Sequence, residues 1–213
     1  MTEATTYAGR TKYTAERSQK YQQKKPGKHR AEMRLIDRAF ALIPTSHHVL
    51  DAPCGGGRVT VHLARRGYRV TAADLSDAMI EVTRETLANN ALDCRVEKQD
   101  VEHLSFPDRH FDTVVSFRLF HHFPTAEIRR QVVQELCRVA RRYVALSYFA
   151  PSLSTVKRKW REARKPSKKH ATPLAEVETY FTNCGFRLVK DFAQLPIVHT
   201  LHVALFERYE ERP

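Results

Sequence analysis

Apolar and polar positions follow two different periodicities along this chain. Short apolar runs, several of which end in an acid, predict β-strands at residues 48–51, 68–74, 94–100, 113–117, 143–149, 186–192 and 198–206. Between most of them apolar residues recur every three or four positions, which predicts amphipathic helices at residues 28–43, 59–67, 77–90, 125–139 and 173–185. Strands that alternate with helices in this way are typical of an α/β fold built on a mainly parallel sheet.

Three polar residues are placed to begin helices. Ser76 stands immediately before one periodic segment, where its side-chain oxygen can accept from the first free N–H groups of a helix, and Thr125 with Pro124 opens another. Thr172 precedes Pro173, and this pair predicts an N-cap followed by a proline at the first helical position.

The first two predicted strands enclose a glycine-rich turn, Asp51-Ala-Pro-Cys-Gly-Gly-Gly57. Ligands of parallel sheets bind at the carboxyl ends of the strands, so Asp51 and Asp74, which end these two strands, are expected to face one crevice. Gly55 and Gly57 permit positive φ and let a ligand approach the backbone closely. Asp74 is placed to accept from both hydroxyls of a ribose, so the unit predicts a nucleotide-like ligand.

The details of this turn argue against a pyridine dinucleotide. Such a site favours a further glycine three residues after the second one, and Thr60 stands there instead. Asp51 would also repel a pyrophosphate, whereas it suits a ligand with a cationic end. An NAD-dependent oxidoreductase is therefore a poor explanation of the motif.

Residues 49–57 resemble the first motif of the class I S-adenosylmethionine-dependent methyltransferases, and Asp74 matches their ribose-binding acid. The resemblance continues through residues 99–102 and 111–116 and covers about residues 48–148 in order. Pro53 departs from the motif, which has a glycine there. The resemblance implies a Rossmann-like, doubly wound sheet of seven mostly parallel strands with an antiparallel last strand. It also implies a helical lid at the N-terminus.

The same resemblance implies a set of cofactor contacts. Asp51 would position the methionine amine directly or through water, and Asp74 the ribose. An acid at position 100 would accept from the adenine amino group, while the amide of Val101 would donate to the ring. The complete implied set is Asp51, Pro53, Gly55, Gly57, Asp74, Leu75, Asp100, Val101 and Phe117.

Residues 116–123, Ser-Phe-Arg-Leu-Phe-His-His-Phe, lie where this fold presents side chains to the transferred methyl group. They lack the Asn-Pro-Pro-Tyr type of element of adenine methyltransferases and resemble small-molecule and ubiquinone- or menaquinone-type enzymes. His121 or His122 is a candidate general base, since a histidine pKa lies near neutrality; alternatively these residues only shape the pocket. Arg118 is a candidate for binding an acceptor carboxylate or phosphate, or else forms a salt bridge. No third ligand accompanies the histidines, so no metal is expected.

The chain has 213 residues and a formal charge of +12, with a sequence pI near 9.8. Its length suits one domain, which we expect at residues 28–213 after a flexible or helical lid at residues 1–27. A dense basic segment at residues 152–171 predicts an electropositive lid insertion and favours an anionic partner. Tyr13, Arg30 and Trp160 are candidate acceptor contacts in these parts of the chain; solvated side chains are the alternative.

No apolar run approaches the length of a membrane span, and the first residues lack the apolar centre of a secretory signal. A cytoplasmic location is expected. The four cysteines are widely separated, which predicts buried thiols and no disulfide or zinc framework.

Together these observations predict an S-adenosylmethionine-dependent methyltransferase that acts on the O, N or C atom of a small or lipid-like anionic acceptor. Two alternatives stay open: an RNA methyltransferase that uses its basic segments to bind the backbone, and a cofactor-binding regulatory protein without catalysis. The sequence leaves the oligomeric state open.

Overall fold

The computed structural model describes residues 26–152, 170–194 and 200–209. Along the chain its elements are α1 (Pro26–Phe40), β1 (His48–Asp51), α2 (Arg58–Ala64), β2 (Arg69–Asp74), α3 (Asp77–Ala88), β3 (Arg95–Lys98), β4 (Phe111–Ser116), a 3₁₀ turn (Phe120–His122), α4 (Ala126–Val139), β5 (Ala140–Phe149), α5 (Leu174–Thr182), β6 (Phe186–Ala193) and β7 (Leu201–Arg208). Every predicted strand is present.

The strands form one sheet in the order β3-β2-β1-β4-β5-β7-β6. β1 to β5 pair in parallel, and β7 inserts antiparallel between β5 and β6. The predicted Rossmann-like class is confirmed, including the antiparallel last strand beside the fifth. The strand order reverses at β1 and β4, which is where open α/β sheets bind their ligands.

Two apolar cores cover the two faces of the sheet. On one face α1 and α2 bury Ile36 and Leu63 against Val49 and Val115. On the other face α4 and α5 bury a second set of residues together with the aromatic side chains around Phe181 and Phe206, whose rings stack 3.8 Å apart. Helices on both faces explain why the central strands are almost continuously apolar in sequence.

The structure confirms one of the two predicted N-caps, Ser76 at α3, and adds Thr125 at α4. The Ser76 and Thr125 hydroxyls accept from the backbone N–H groups of Met79 and Ile128, as expected for N-caps. The prediction for α5 was wrong: Pro173 itself is the N-cap, and the N–H of the buried Thr172 donates to Phe149 O at 2.8 Å. That bond ties the chain to the end of β5 just before the helix begins.

Strand and helix bounds differ from the predicted ones by a few residues. α1 begins at Pro26, so it starts two residues before the predicted boundary between lid and domain. β5 begins at Ala140, directly after α4, because Ala140 already pairs with Phe111. β7 ends at Arg208, two residues late. In the described ranges no helix combines the length and apolar character that a membrane span requires.

Candidate active site

Two acids meet at the carboxyl edge of the sheet, as predicted. Asp51 ends β1 and Asp74 ends β2, and the two strands are direct neighbours in the sheet. Both side chains are buried, at 0% and 7% exposure. Two carboxylates this deeply buried require donors, and the surrounding loops provide most of them.

The glycine loop between β1 and α2 takes a path that requires glycine. Gly55 and Gly57 have φ of 54° and 75°, in the left-handed region. A Cβ on Gly57 would lie 3.1 Å from the Cγ2 atom of Thr83, which is too close without a shift of the neighbour. The Thr83 hydroxyl donates to Gly55 O at 2.6 Å and so fixes the loop to α3. The half-buried Pro53 follows a cis peptide bond in the same loop.

Thr60 explains how Asp51 is tolerated in the core. Its hydroxyl donates to Asp51 Oδ2 at 2.6 Å, whereas Asp51 Oδ1 has no hydrogen-bond partner within the described ranges. Burial, with a smaller contribution from the nearby Asp74, raises the pKa of Asp51 to about 7 against the opposing effect of the Thr60 bond. The carboxyl therefore has one acceptor atom in reserve, which suits a cationic ligand group.

Asp74 acts as an acceptor for backbone groups of the crevice. Its Oδ2 accepts from Gly55 N at 2.9 Å, and its Oδ1 accepts from Ser76 N at 3.0 Å. Burial raises the pKa of Asp74, and these backbone donors oppose the rise. Asp74 thus fixes the glycine loop in addition to the role that the sequence predicts. Each carboxylate oxygen can accept a second bond, so a ligand hydroxyl can still be bound. Leu75 follows it and is partly buried.

The third strand brings a further acid to the same edge. Asp100 lies two residues beyond β3, partly buried, and its Oδ1 accepts from Glu102 N at 3.0 Å. Val101 beside it is buried. A bond from Gln99 N to Asp74 O, of 3.0 Å, ties this segment to the end of β2. The segment is therefore placed beside Asp74, at the edge where the sequence predicts it.

Beyond β4 the chain forms the opposite wall of the crevice. Phe117 is buried, and Arg118 has φ of 68°, an uncommon value for a long side chain. The N–H of Arg118 donates to Ser147 Oγ at 2.6 Å, and its guanidinium lies 5.6 Å from the centre of the Phe149 ring. These contacts from β5 hold the unusual backbone in place.

The two candidate histidines lie in the 3₁₀ turn behind Arg118. Both are buried. The His121 ring stacks on Phe149 with the ring centres 3.9 Å apart, and the His122 ring lies 4.2 Å from that of His121. The His121 carbonyl accepts from His170 N at 2.8 Å. Histidine, phenylalanine and arginine thus share one wall, at the ends of β4 and β5.

A buried glutamate of α1, which sequence reasoning missed, joins the two sides of the crevice. Glu32 is 2% exposed and accepts from Arg58 at 3.0 Å and from Arg118 at 3.2 Å. Arg58 begins α2 directly after the glycine loop, whereas Arg118 follows β4. The alternative that Arg118 forms a salt bridge is thus realised here. A lone acid among the apolar positions of a predicted amphipathic helix is the signal that could have revealed it.

We expect Glu32→Gln to lower the free energy of unfolding by about 1.5 to 3 kcal/mol, because both charged hydrogen bonds weaken in a buried place. Glu81→Gln is the matched control. Glu81 pairs with Arg84 on the exposed surface of α3, so its loss is expected to cost about 0.5 kcal/mol or less. Urea unfolding of both variants checks this; equal costs would show that the Glu32 bridge is unimportant for stability.

The three other candidate acceptor contacts are Tyr13, Arg30 and Trp160. Arg30 lies on α1 with its side chain exposed to solvent. Tyr13 and Trp160, together with most of the basic segment at residues 152–171 and nearly all of residues 1–27, lie outside the described residues. In the described part of the chain, no group of three or more His, Cys, Asp or Glu residues is placed to hold a metal ion.

The sheet order and the acids at its carboxyl edge define a Rossmann-like fold with a crevice lined by carboxylates. Residues 49–142 match the family profile described as a methyltransferase domain. The ubiquinone biosynthesis O-methyltransferase of Coxiella burnetii is 35% identical over 77 residues, which are 36% of this chain and 33% of that protein. An uncharacterized methyltransferase of Bacillus licheniformis is 28% identical over 68% of this chain and 71% of its own.

Among solved structures, the magnesium protoporphyrin IX methyltransferase of Synechocystis PCC 6803 with bound SAH superposes with a TM-score of 0.75. It is 20% identical, and the alignment covers 86% of this chain and 84% of that one. The chain thus resembles a methyltransferase domain over residues 49–142 and shares the fold of this solved methyltransferase. Its match to the Coxiella relatives spans about a third of their length.

Proposed function

We propose that this protein transfers the methyl group of S-adenosylmethionine to an O, N or C atom of a small or lipid-like anionic acceptor. The proposal depends above all on one observation. Asp51, the left-handed glycine loop and Asp74 converge at the carboxyl ends of β1 and β2, beside the point where the strand order reverses.

The residues present fit this cofactor. Asp51 has a buried oxygen without a partner in the described ranges, and the cationic amine of a methionine group supplies the donor it lacks. Asp74 accepts from the ribose hydroxyls, and Asp100 with the amide of Val101 selects adenine. Gly55 and Gly57 let the ligand approach the loop, while Leu75 and Phe117 give apolar contact. When bound, the cofactor supplies an electrophilic methyl group on a sulfonium.

The acceptor side of the proposal depends on the wall formed by Arg118, His121 and Phe149. The guanidinium provides charge-assisted donors for a carboxylate or phosphate, and the stacked rings provide an apolar surface. Glu32 now holds Arg118, so an anionic acceptor would share or replace that contact. Holding the acceptor close to the sulfonium methyl group and in line with it accounts for much of the rate of transfer. His121 or His122 removes the proton of an acceptor that loses one during the reaction.

Methyl transfer is tested by incubating the protein with methyl-labelled S-adenosylmethionine and acceptors of matched shape. One set consists of hydroxybenzoates and catechols with a carboxylate, and the other of the same rings without it. We expect label to appear in the carboxylate set. The Arg118→Lys variant should raise KM for these acceptors and leave kcat nearly unchanged. Cofactor binding without product from any acceptor, RNA included, would instead favour a regulatory protein.

Asp51 makes cofactor binding depend on pH. In the free protein its pKa is about 7, so below neutral pH the carboxyl carries a proton that an ammonium ligand must displace. Affinity for S-adenosylhomocysteine is therefore expected to rise about tenfold per pH unit from about pH 5 to 6.5 and to level near 7. Calorimetry in two buffers of different ionisation enthalpy at pH 6 should show release of about one proton.

Asp51→Asn is the matched variant, because it keeps the size of the side chain and an acceptor for Thr60. The same variant should remove both the rise in affinity and the proton release. A wild-type pH profile retained in Asp51→Asn would contradict the role of Asp51.

The stability of the fold depends on pH in the opposite direction. Since burial raises the pKa of Asp51, its contribution to the free energy of unfolding falls as pH rises from about 4 to 7.

A further inference from the structure

The edge of the sheet opposite the crevice contains a groove of about 1310 Å³. It lies where β5 and β6 begin and β7 ends, far along the strands from Asp51 and Asp74. All the cationic side chains that line it are arginines: Arg109, Arg141, Arg142, Arg187 and Arg208. We call this cavity the arginine groove. The proposed methyl transfer does not use it.

The arginine groove has an excess of positive charge. Its acids are Asp112, which pairs with Arg141 at 2.9 Å, and Glu207, which pairs with both Arg142 and Arg187 at 3.2 Å. Five arginines against two carboxylates leave three positive charges. Burial lowers the pKa of His47, which also lines the groove, so this ring adds no charge at neutral pH. Within the described ranges Arg109 has no ion-pair partner.

These guanidinium groups remain accessible despite their ion pairs. The side chains of Arg141, Arg142 and Arg187 are 62%, 55% and 67% exposed. Each arginine has five N–H donors in a planar fork, and the pairs described above use only one or two of them. The remaining donors match the geometry of phosphate oxygens. Arg208 is different, because it donates to the carbonyls of Cys137 and Ala140 and supports the fold.

Size and surface chemistry distinguish between polyanions. The volume exceeds the roughly 300 to 1,000 Å³ of ordinary small-molecule sites, which favours a polymer. The surface is concave, whereas an anionic membrane would favour a flat or convex one. Tyr209, 40% exposed, lies in the groove, and the Tyr143 ring lies 5.1 Å beneath the Arg142 guanidinium. Arginine forks beside an accessible aromatic ring are the elements that bind single-stranded nucleic acid.

We propose that the arginine groove binds the phosphate backbone of a single-stranded nucleic acid. Arg109, Arg141, Arg142 and Arg187 contact phosphates, and Tyr209 offers a face for a base. This binding is independent of the cofactor crevice, which lies at the opposite edge of the sheet.

The test is fluorescence anisotropy of the full chain, without cofactor, against a labelled RNA of about 12 nucleotides and a DNA of the same sequence. The variant Arg109→Gln with Arg187→Gln removes two contacts. At about 0.1 M salt we expect affinity to fall at least about tenfold, and the slope of log K against log salt to fall by about 1.4. The control, Arg84→Gln with Arg130→Gln, removes the same charge from exposed positions on α3 and α4 and should bind nearly as the wild type does.

A second measurement uses the wild-type protein alone. Modification of arginines by phenylglyoxal, read by mass spectrometry, should be suppressed by RNA or DNA at Arg109 and Arg187 but not at Arg84. A preference between the two nucleic acids identifies the natural backbone. Absent binding, equal losses in both double variants, or no protection in the groove would each overturn the proposal. Because no cofactor is present, these results are independent of methyl transfer.

Discussion

Asp74→Ala is expected to weaken the binding of S-adenosylhomocysteine at least about a hundredfold. A carboxylate that accepts from two hydroxyls contributes about 1.5 to 3 kcal/mol per bond, and each 1.4 kcal/mol is a factor of ten. The variant also removes the acceptor of the N–H groups of Gly55 and Ser76, which donate to Asp74 in the wild-type protein. Unfolding free energy should therefore fall by about 1 to 3 kcal/mol for each N–H that remains buried.

Asp112→Ala separates these two effects. Asp112 also accepts from a backbone N–H, that of His48, at 2.9 Å, but at the far edge of the sheet. This control should lose stability and keep its affinity. Calorimetry and urea unfolding on both variants provide the comparison. An Asp74→Ala protein that binds as the wild type does would remove Asp74 from the cofactor site.

Gly57→Ala has the second largest expected effect. A non-glycine residue in the left-handed region costs about 1 to 2 kcal/mol, and the new Cβ would lie 3.1 Å from Thr83 Cγ2. Relieving that contact moves Thr83, whose hydroxyl holds Gly55 O. We therefore expect a loss of about 2 kcal/mol or more in stability and at least about a tenfold loss in affinity for S-adenosylhomocysteine.

Gly67→Ala is the control for backbone strain alone. Gly67 has φ of 89°, and a Cβ there would meet no atom within 4 Å. It follows α2 and lies outside the crevice. We expect a loss of stability of about 1 to 2 kcal/mol with unchanged affinity. If both alanine variants bound the ligand equally well, close packing of the glycine loop would not be needed for binding.

Local sequence patterns predicted the fold because the central strands are apolar and bounded by polar turns. β1, β2 and β4 are buried on both faces and read as apolar runs, and the acids that end β1 and β2 marked the crevice in advance. The antiparallel insertion of β7 came from family resemblance alone, since no local pattern specifies which neighbour a strand will choose. The predicted start of α5 was wrong: the N–H of Thr172 bonds to the end of β5, and the helix begins one residue later, at Leu174.

Residues that support the site were harder to predict than residues that end strands. Thr60 was noticed only as a missing glycine, yet its hydroxyl is what accommodates Asp51 in the core. Glu32 lies 26 residues before Arg58 and 86 before Arg118 in the chain, and such partners cannot be read from spacing. The sequence leaves Arg118 with two possible roles, anion binding and a salt bridge. The salt bridge depends on Glu32, which only the packing of α1 against the crevice brings near.

The central claim is that the crevice is built for a sulfur nucleoside, and calorimetric titration of the wild-type protein tests it most directly. S-adenosylmethionine and S-adenosylhomocysteine are predicted to bind at one site per chain at pH 7.5, while NAD produces no binding heat. Binding of NAD, or of none of the three, would contradict the assignment of Asp51, Asp74 and the glycine loop to S-adenosylmethionine.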